Sequence, residues 1–198
     1  MLIWETRFKQ LDNLLETIKT EMKNSSYCAF LRGVNVKGTN MKMAEVCAVF
    51  IKAGMKNVSS VLASGNILFS SEKDKNELKP LLEKAMSEHF NYEAFLFIKD
   101  KSEVENTFSN NPFSVDADFH IYGFAGIDGI ENVLMGEFEK AGKATGEVAK
   151  IVSDNFYWKV PKGNTLGSEF GKILGNKKLK DAFTSRNLNT YKKVFKKL

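Results

Sequence analysis

An arginine followed by a glycine-containing loop is the first stretch of the chain that could do chemistry. Arg32 ends an apolar run, and the loop from Gly33 to Gly38 contains Asn35 and Lys37. A loop between a strand and a helix can present backbone N–H groups to a phosphate. However, Gly-Val-Asn-Val-Lys-Gly is neither a Walker loop nor a dinucleotide fingerprint. Alternatively, the glycines supply tight turns and the asparagine binds loop backbone.

A second arginine stands near the carboxyl end of the chain. Arg186 and Asn187 are followed by Thr190, and a guanidinium beside amides and hydroxyls can clamp a phosphate or a carboxylate. The same residues can instead anchor a C-terminal helix, with Thr184 as its N-cap.

The turn Ser64-Gly65-Asn66 relates these two stretches to each other. It separates two apolar runs and so predicts a hairpin. The strand after this turn is predicted to lie beside the strand that ends in Arg32. We therefore predict that Arg32 and Arg186 act at a common anion site near Ser64 and Asn66.

Positive charge is concentrated at the carboxyl end. The whole chain of 198 residues has a net charge of +5, but residues 172–198 contain nine basic residues and one acid, Asp181, a net charge of +8. Such asymmetry indicates an anionic partner, whereas a solvated, lysine-rich helix end explains it equally well. The candidates for a nucleic-acid patch are Lys192, Lys193, Lys196 and Lys197.

Patterns of metalloenzymes and of common nucleophilic enzymes are missing from the sequence. His89 and His120 lack metal-ligand spacing, and neither Cys28 nor Cys47 lies in a nucleophile motif. We therefore predict no metal and no cofactor, and whether the protein is an enzyme stays open. The sequence has no apolar stretch of about 20 residues and no secretory h-region, which predicts a cytoplasmic protein without a membrane partner.

The elements that must position these residues follow from the hydrophobic pattern. An amphipathic helix is predicted first, from the stripe Trp4, Phe8, Leu11, Leu15, Ile18 and Met22. Strands are then predicted at 27–32, 58–63, 67–70 and 92–98, and helices at 43–53 and 76–90. This order is the split βαβ of a ferredoxin-like unit.

The second half of the chain approximates the same order. We predict a linking helix at 102–109, strands at 119–125, 148–153 and 156–160, and helices at 130–141, 168–174 and 179–183. The predicted fold is therefore α+β, with two ferredoxin-like subdomains in tandem and an extra N-terminal helix. The predicted boundaries are 1–26 for the helix, 27–100 for the first subdomain and 101–198 for the second, which ends in a basic helix or tail.

The strands at 27–32 and 92–98 are apolar on both sides, so both faces of the first sheet need cover. Helices should cover one face, and the second subdomain or the N-terminal helix should cover the other. An open aromatic platform for stacking RNA bases is therefore not expected.

Several motifs resemble a widespread bacterial family known as domain of unknown function 1697. They are YCAFLRGVNVKG with MKMAEV, VSSVLASGNILFSS, NPF at 111–113 and TSRNLNTYKKV at 184–194. The resemblance covers about residues 27–198. The chain departs from the family pattern in having Lys37 for a glycine, Ala63 for a glutamine, Leu188 for a tryptophan and Ser168-Glu169 for a Ser-Lys pair. The resemblance implies no established activity.

Three functional interpretations stay open at this point. The first is a binding module for a phosphate-bearing partner, either a nucleotide, a phosphorylated metabolite or nucleic acid. The second is an enzyme that acts on a small anionic substrate held by Arg32 and Arg186. In the third, the motifs only specify the fold. The oligomeric state is also open, since the N-terminal helix can dock on its own chain or dimerise.

Overall fold

The computed structural model describes Arg7, Lys9 and residues 25–34 and 41–198. Arg7 and Lys9 are helical and exposed. The remainder of the predicted N-terminal helix, together with Asn35 and Lys37 of the glycine loop, lies outside the described residues.

The first half of the chain forms one four-stranded antiparallel sheet. The elements are β1 (Ser25–Arg32), α1 (Met43–Lys52), β2 (Lys56–Ser60), β3 (Asn66–Ser71), α2 (Lys75–Phe90) and β4 (Phe95–Asp100). The strands occur in the order β2-β3-β1-β4, so that β1 lies in the interior of the sheet.

The second half of the chain contains α3 (Lys101–Ser109), β5 (Phe119–Gly126), α4 (Ile130–Lys140), β6 (Val148–Val152), β7 (Asn155–Pro161), α5 (Glu169–Leu174), a 3-10 turn (Lys177–Leu179), β8 (Phe183–Asn187) and α6 (Leu188–Phe195). Its strands form a second four-stranded antiparallel sheet, which repeats the arrangement of the first in the order β6-β7-β5-β8. Two such sheets with six α-helices in the described ranges confirm the predicted α+β class.

The predicted helix at 179–183 is wrong. Residues Lys177–Leu179 form a 3-10 turn, and the chain then enters β8 at Phe183. This strand pairs with β5, from Phe183 opposite Gly126 to Asn187 opposite Tyr122. Sheet pairing overrides the weak helical pattern here, because the Phe183 side chain is buried in the core of the second sheet.

Two outer cores each cover one face of a sheet. Residues of α1 and α2, including Val46, Phe50 and Leu82, pack on β1 and β3 of the first sheet. Leu134 of α4 and Phe170 of α5 pack on the second sheet in the same way. Each of these helices therefore buries its apolar stripe against a strand surface.

The inner faces of the two sheets share a third core. Cys28 and Phe30 of β1 contribute to it, together with Tyr157 of β7, Val104 of α3 and Tyr191 of α6. The expectation that both faces of the first sheet are covered is therefore confirmed, and the second half of the chain supplies this cover. Among the described helices, none has the length and apolar character needed to cross a bilayer.

Candidate functional site

Arg32 is the last residue of β1, and its side chain reaches into the second half of the molecule. Its Nη2 donates to the Leu174 carbonyl at 2.9 Å, and its Nη1 donates to the Phe183 carbonyl. The guanidinium carbon also lies 4.8 Å from the centre of the Phe183 ring. Arg32 therefore ties the end of the first sheet's central strand to α5 and β8.

Arg186 lies in β8 and makes the reverse connection. Its Nη2 donates to the carbonyls of Leu31 at 2.6 Å and Gly65 at 3.3 Å. Its Nε donates to Oδ1 of Asn66 at 2.6 Å. All three acceptors belong to the first half, so the two arginines hold the halves from opposite sides. We call Arg32, Arg186 and their acceptors the arginine clasp.

The guanidinium of Arg186 has a protein acceptor for every donor it carries. In addition to the three bonds to the first half, its Nη1 donates to Oγ1 of Thr184 at 2.7 Å and to the Ser185 carbonyl at 2.9 Å. A guanidinium has five N–H groups, and these five bonds use them all. An anion could bind Arg186 only by displacing an acceptor of the protein.

Both arginines keep their charge at neutral pH even though they are withdrawn from water. Burial lowers the pKa of Arg186 to about 10. Burial also lowers the pKa of Arg32, and the nearby Asp181 carboxylate opposes this shift. The acceptors of the clasp are neutral carbonyl, amide and hydroxyl oxygens, so the positive charges are held by dipoles.

The Ser64–Asn66 turn lies where the geometry of the predicted sheet places it. The Leu31 N–H donates to the Gly65 carbonyl at 2.8 Å, which brings the turn beside the end of β1. Asn66 is fully buried, and its Nδ2 donates to the Val61 carbonyl at 2.8 Å and to Oγ of Ser64 at 3.0 Å. The Asn66 side-chain amide therefore stabilises the turn and also accepts a hydrogen bond from Arg186.

Gly65 is the position where this turn requires a glycine. Its φ is +73°, and an added Cβ would lie 2.5 Å from Cγ2 of Val34. A side chain would be strained by both the backbone conformation and the contact.

Asn187 and Thr190 have local roles in the structure. The Asn187 side chain accepts from the Asn189 N–H at 2.9 Å and so caps α6, and its Nδ2 lies 3.2 Å from Nδ1 of His120. Thr190 is buried on α6. The predicted N-cap, Thr184, is wrong, because Thr184 lies inside β8 and its hydroxyl accepts from Arg186.

The structure therefore brings Arg32, Ser64, Asn66 and Arg186 to the junction between the halves, while the two arginines bind different acceptors there. The four candidate lysines lie elsewhere, on α6 and the residues after it, and all four are exposed. We call the surface formed by Lys192, Lys193, Lys196 and Lys197 the lysine face.

Comparison with known proteins assigns the chain to a family. The model of the family described as "Protein of unknown function (DUF1697)" matches residues 24–157. The chain belongs to the DUF1697 family. The structure is similar to that of the conserved bacterial protein SP0830 from Streptococcus pneumoniae, with a TM-score of 0.70 and 24% identity over 87% of this chain and 98% of that one. At this identity the likeness shows the fold alone. No curated protein matches the chain.

Three residues at or beside the positions where the chain departs from the family pattern have structural roles here. Leu188 is buried in the shared inner core. Ser168 caps α5, since its Oγ accepts from the Gly171 N–H at 2.9 Å. The Glu169 carboxylate accepts from the Gly142 N–H.

Sequence reasoning missed a buried polar cluster next to the clasp. Tyr191 is fully buried, its ring centre lies 5.0 Å from that of Phe30 at an interplanar angle of 41°, and its hydroxyl has no hydrogen-bond partner among the described residues. Burial raises its pKa, and the positive charge of Arg186 partly opposes this. The Cys28 thiol is equally buried, and burial raises its pKa too. These groups are therefore neutral, and nothing in their spacing along the chain could have placed them together.

Sequence reasoning also missed a cleft beside the junction. A cavity of about 380 Å³ is lined by residues 126–131, where β5 leads into α4, by Lys99 and Glu103, and by residues 153–155. Lys99 and Lys75 both contact the Glu103 carboxylate, at 3.2 and 2.6 Å. Among the described residues, no group of His, Cys, Asp or Glu side chains is arranged to hold a metal ion.

Proposed function

We propose that this DUF1697 protein binds a phosphate-bearing partner through its lysine face, and that the partner is nucleic acid contacted through its backbone. The observation that carries the proposal is the position of the four lysines. All four are exposed, and no acid follows Asp181 in the chain. Exposed lysines can neutralise backbone phosphates without giving up an interaction inside the protein.

The neighbouring helix extends this positive surface. Helix α3 packs against α6, and Nζ of its exposed Lys101 lies 5.6 Å from the ring of Phe195. Within the parts of the chain that the structure describes, no carboxylate forms an ion pair with Lys101 or with the lysine face. These five lysines, on two packed helices and the residues that follow α6, thus support binding of a polyanion more than binding of a small ligand.

The hydrogen bonds of the arginine clasp also favour the lysine face, rather than Arg32 and Arg186, as the surface that binds anions. Anion binding at Arg186 would break its bonds to Leu31 or Asn66, and each buried acceptor left unsatisfied costs about 1–3 kcal/mol. An enzyme that used Arg32 and Arg186 to hold its substrate would incur this cost in every cycle. We therefore assign these two arginines a structural role.

We expect the protein to bind nucleic acid regardless of its nucleotide sequence. The inner faces of both sheets are buried in the shared core and their outer faces pack against helices, so the described strands present no open aromatic surface for stacking bases. Lysine contacts to phosphates position a nucleic acid but carry no base information.

We further infer that each half is a ferredoxin-like unit and that the protein is cytoplasmic. The strand order β2-β3-β1-β4, repeated as β6-β7-β5-β8, supports the first inference. Two cysteines that both occur as free thiols support the second.

The test is a titration of labelled duplex DNA at several salt concentrations. The variant carries Lys→Gln at 192, 193, 196 and 197, and the control carries the same change at four exposed lysines elsewhere: Lys42, Lys56, Lys140 and Lys143. Both lose the same net charge. The log–log salt slope changes by about 0.9 for each phosphate that the protein no longer neutralises. We expect a slope smaller by up to about 3.6 in the variant and little change in the control.

Two results would contradict the proposal. One is the absence of duplex binding at low salt. The other is an equal decrease of the slope in the variant and the control, which would mean that net charge matters and the lysine face does not.

A further inference from the structure

The outer surface of the first sheet carries a groove that neither the family assignment nor the proposed function uses. It lies between α1 and α2 and has a volume of about 550 Å³. Its apolar members are Val49, Ala53, Leu81 and Ala85, and its polar members are Lys52, Lys84, Glu88 and His89. A groove between two helices with an apolar floor and a charged rim is shaped to receive a third, amphipathic helix.

The groove leads to the point where the described part of the first strand begins. A second cavity, of about 410 Å³, is lined by Ala53, Ser71 and Glu77 among others, and Ala53 belongs to both cavities. Ser71 is the partner of Ser25 in the sheet. The two cavities together therefore form a continuous groove that runs from Ser25 along α2, past Glu77 and Leu81 towards His89.

We propose that the N-terminal segment, residues 1–24, docks as an amphipathic helix in this groove, antiparallel to α2. The chain reaches Ser25 at one end of the groove, and the segment is continuous with it. A helix over residues 2–22 would be about 30 Å long, which is enough to run beside the whole of α2. The stripe from Trp4 to Met22 supplies one apolar face, and such a face needs an apolar partner.

Two observations support this occupant. Arg7 and Lys9, the described residues of the segment, are helical and exposed, as expected for positions outside the stripe. The match to the family model begins at residue 24, so nearly all of the segment lies outside the matched region. With the antiparallel direction, Ile18 and Met22 should lie near Ala53, Leu15 near Leu81 and Ala85, and Trp4 near His89.

The fluorescence of Trp4 provides the test in the full-length chain. The other tryptophan, Trp158, is fully buried in the second half, so Trp4→Phe isolates the signal of Trp4 by difference. We expect the Trp4 emission to be blue-shifted and protected from acrylamide. Ala85→Arg should place a charge in the groove and expose Trp4 to the quencher. The matched control is Val133→Arg, which changes a half-exposed apolar residue on α4 in the other half.

A second variant keeps the test decisive if Ala85→Arg fails to fold. Leu15→Asp changes only the segment and should expose Trp4 in the same way. Light scattering, performed in parallel, should report a monomer. Three results would overturn the proposal: Trp4 freely quenched in the unmodified chain, Trp4 protected but indifferent to both variants, or protection that disappears as a dimer dissociates on dilution.

Discussion

Arg186 of the arginine clasp and the lysine face lie within the same short, basic segment of the chain, but their positive charges lie in opposite environments. Arg186 gives each of its five N–H groups to an acceptor inside the protein. Six residues later, Lys192 and Lys193 are exposed on α6. A net charge of +8 for residues 172–198 does not distinguish these roles. What distinguishes them is whether the donors are already used, and only the fold decides that.

The largest expected effect is at Arg186. Arg186→Met removes the donors for Leu31, Gly65 and Asn66, and loss of this buried network should lower the free energy of unfolding by about 3–5 kcal/mol. Lys193→Met is the matched control and should change it by less than about 0.5 kcal/mol. Urea unfolding measures both. A loss below about 1 kcal/mol at Arg186 would mean that the clasp is not structural.

The acceptor at Asn66 should behave as the partner of Arg186. Asn66→Ala removes two donated bonds and one accepted bond from a fully buried side chain. We expect a loss of about 2–3 kcal/mol. In a double-mutant cycle with Arg186→Met the two changes should be coupled by about 0.5–3 kcal/mol. Additive losses would show that the bond between the two side chains contributes nothing.

Arg32 should be less costly to replace, because it is half-buried and has two carbonyl acceptors. We expect Arg32→Met to lower the free energy of unfolding by about 1–3 kcal/mol, whether or not phosphate ligands are present. Thermal unfolding with and without nucleotides measures this. If Arg32→Met left the stability unchanged but abolished an increase in unfolding temperature that nucleotides cause in the unmodified protein, Arg32 would instead belong to an anion site.

The smallest effect on stability is expected at the lysine face. The Lys→Gln variant at 192, 193, 196 and 197 should unfold within about 0.5 kcal/mol per site of the unmodified protein, because these side chains are solvated. A larger, cooperative loss in urea would show that the lysines help to hold α6 in place, and the contrast between the two regions would weaken.

The sequence predicted those parts of the fold and of the candidate site that depend on contacts between residues close together in the chain. The interior position of β1 and its proximity to the Ser64–Asn66 turn followed from the order of elements, since a hairpin and two helices leave few arrangements. The strand at Phe183–Asn187 was not predicted, because the strand that it pairs with, β5, lies more than 50 residues earlier in the chain. This error also misplaced Thr184 as a helix cap.

The roles of the two arginines could not be predicted at all. Arg32 and Arg186 are more than 150 residues apart, and each bonds to backbone carbonyls of the other half. Any residue can offer a carbonyl oxygen, so no side-chain motif marks the acceptors. The sequence therefore indicated where the arginines would lie but left open whether an anion or the protein would satisfy them.

The most direct test of this account is an NMR titration with a short duplex at low salt. It follows the Arg186 Nε–H resonance together with the backbone amides of α6 and α3. The account predicts that the amides around Lys101 and Lys192–Lys197 shift progressively with duplex concentration, while the Arg186 Nε–H resonance stays in place because its bond to Asn66 is retained. A shifting Arg186 Nε–H resonance with unchanged amides at the lysine face would contradict it.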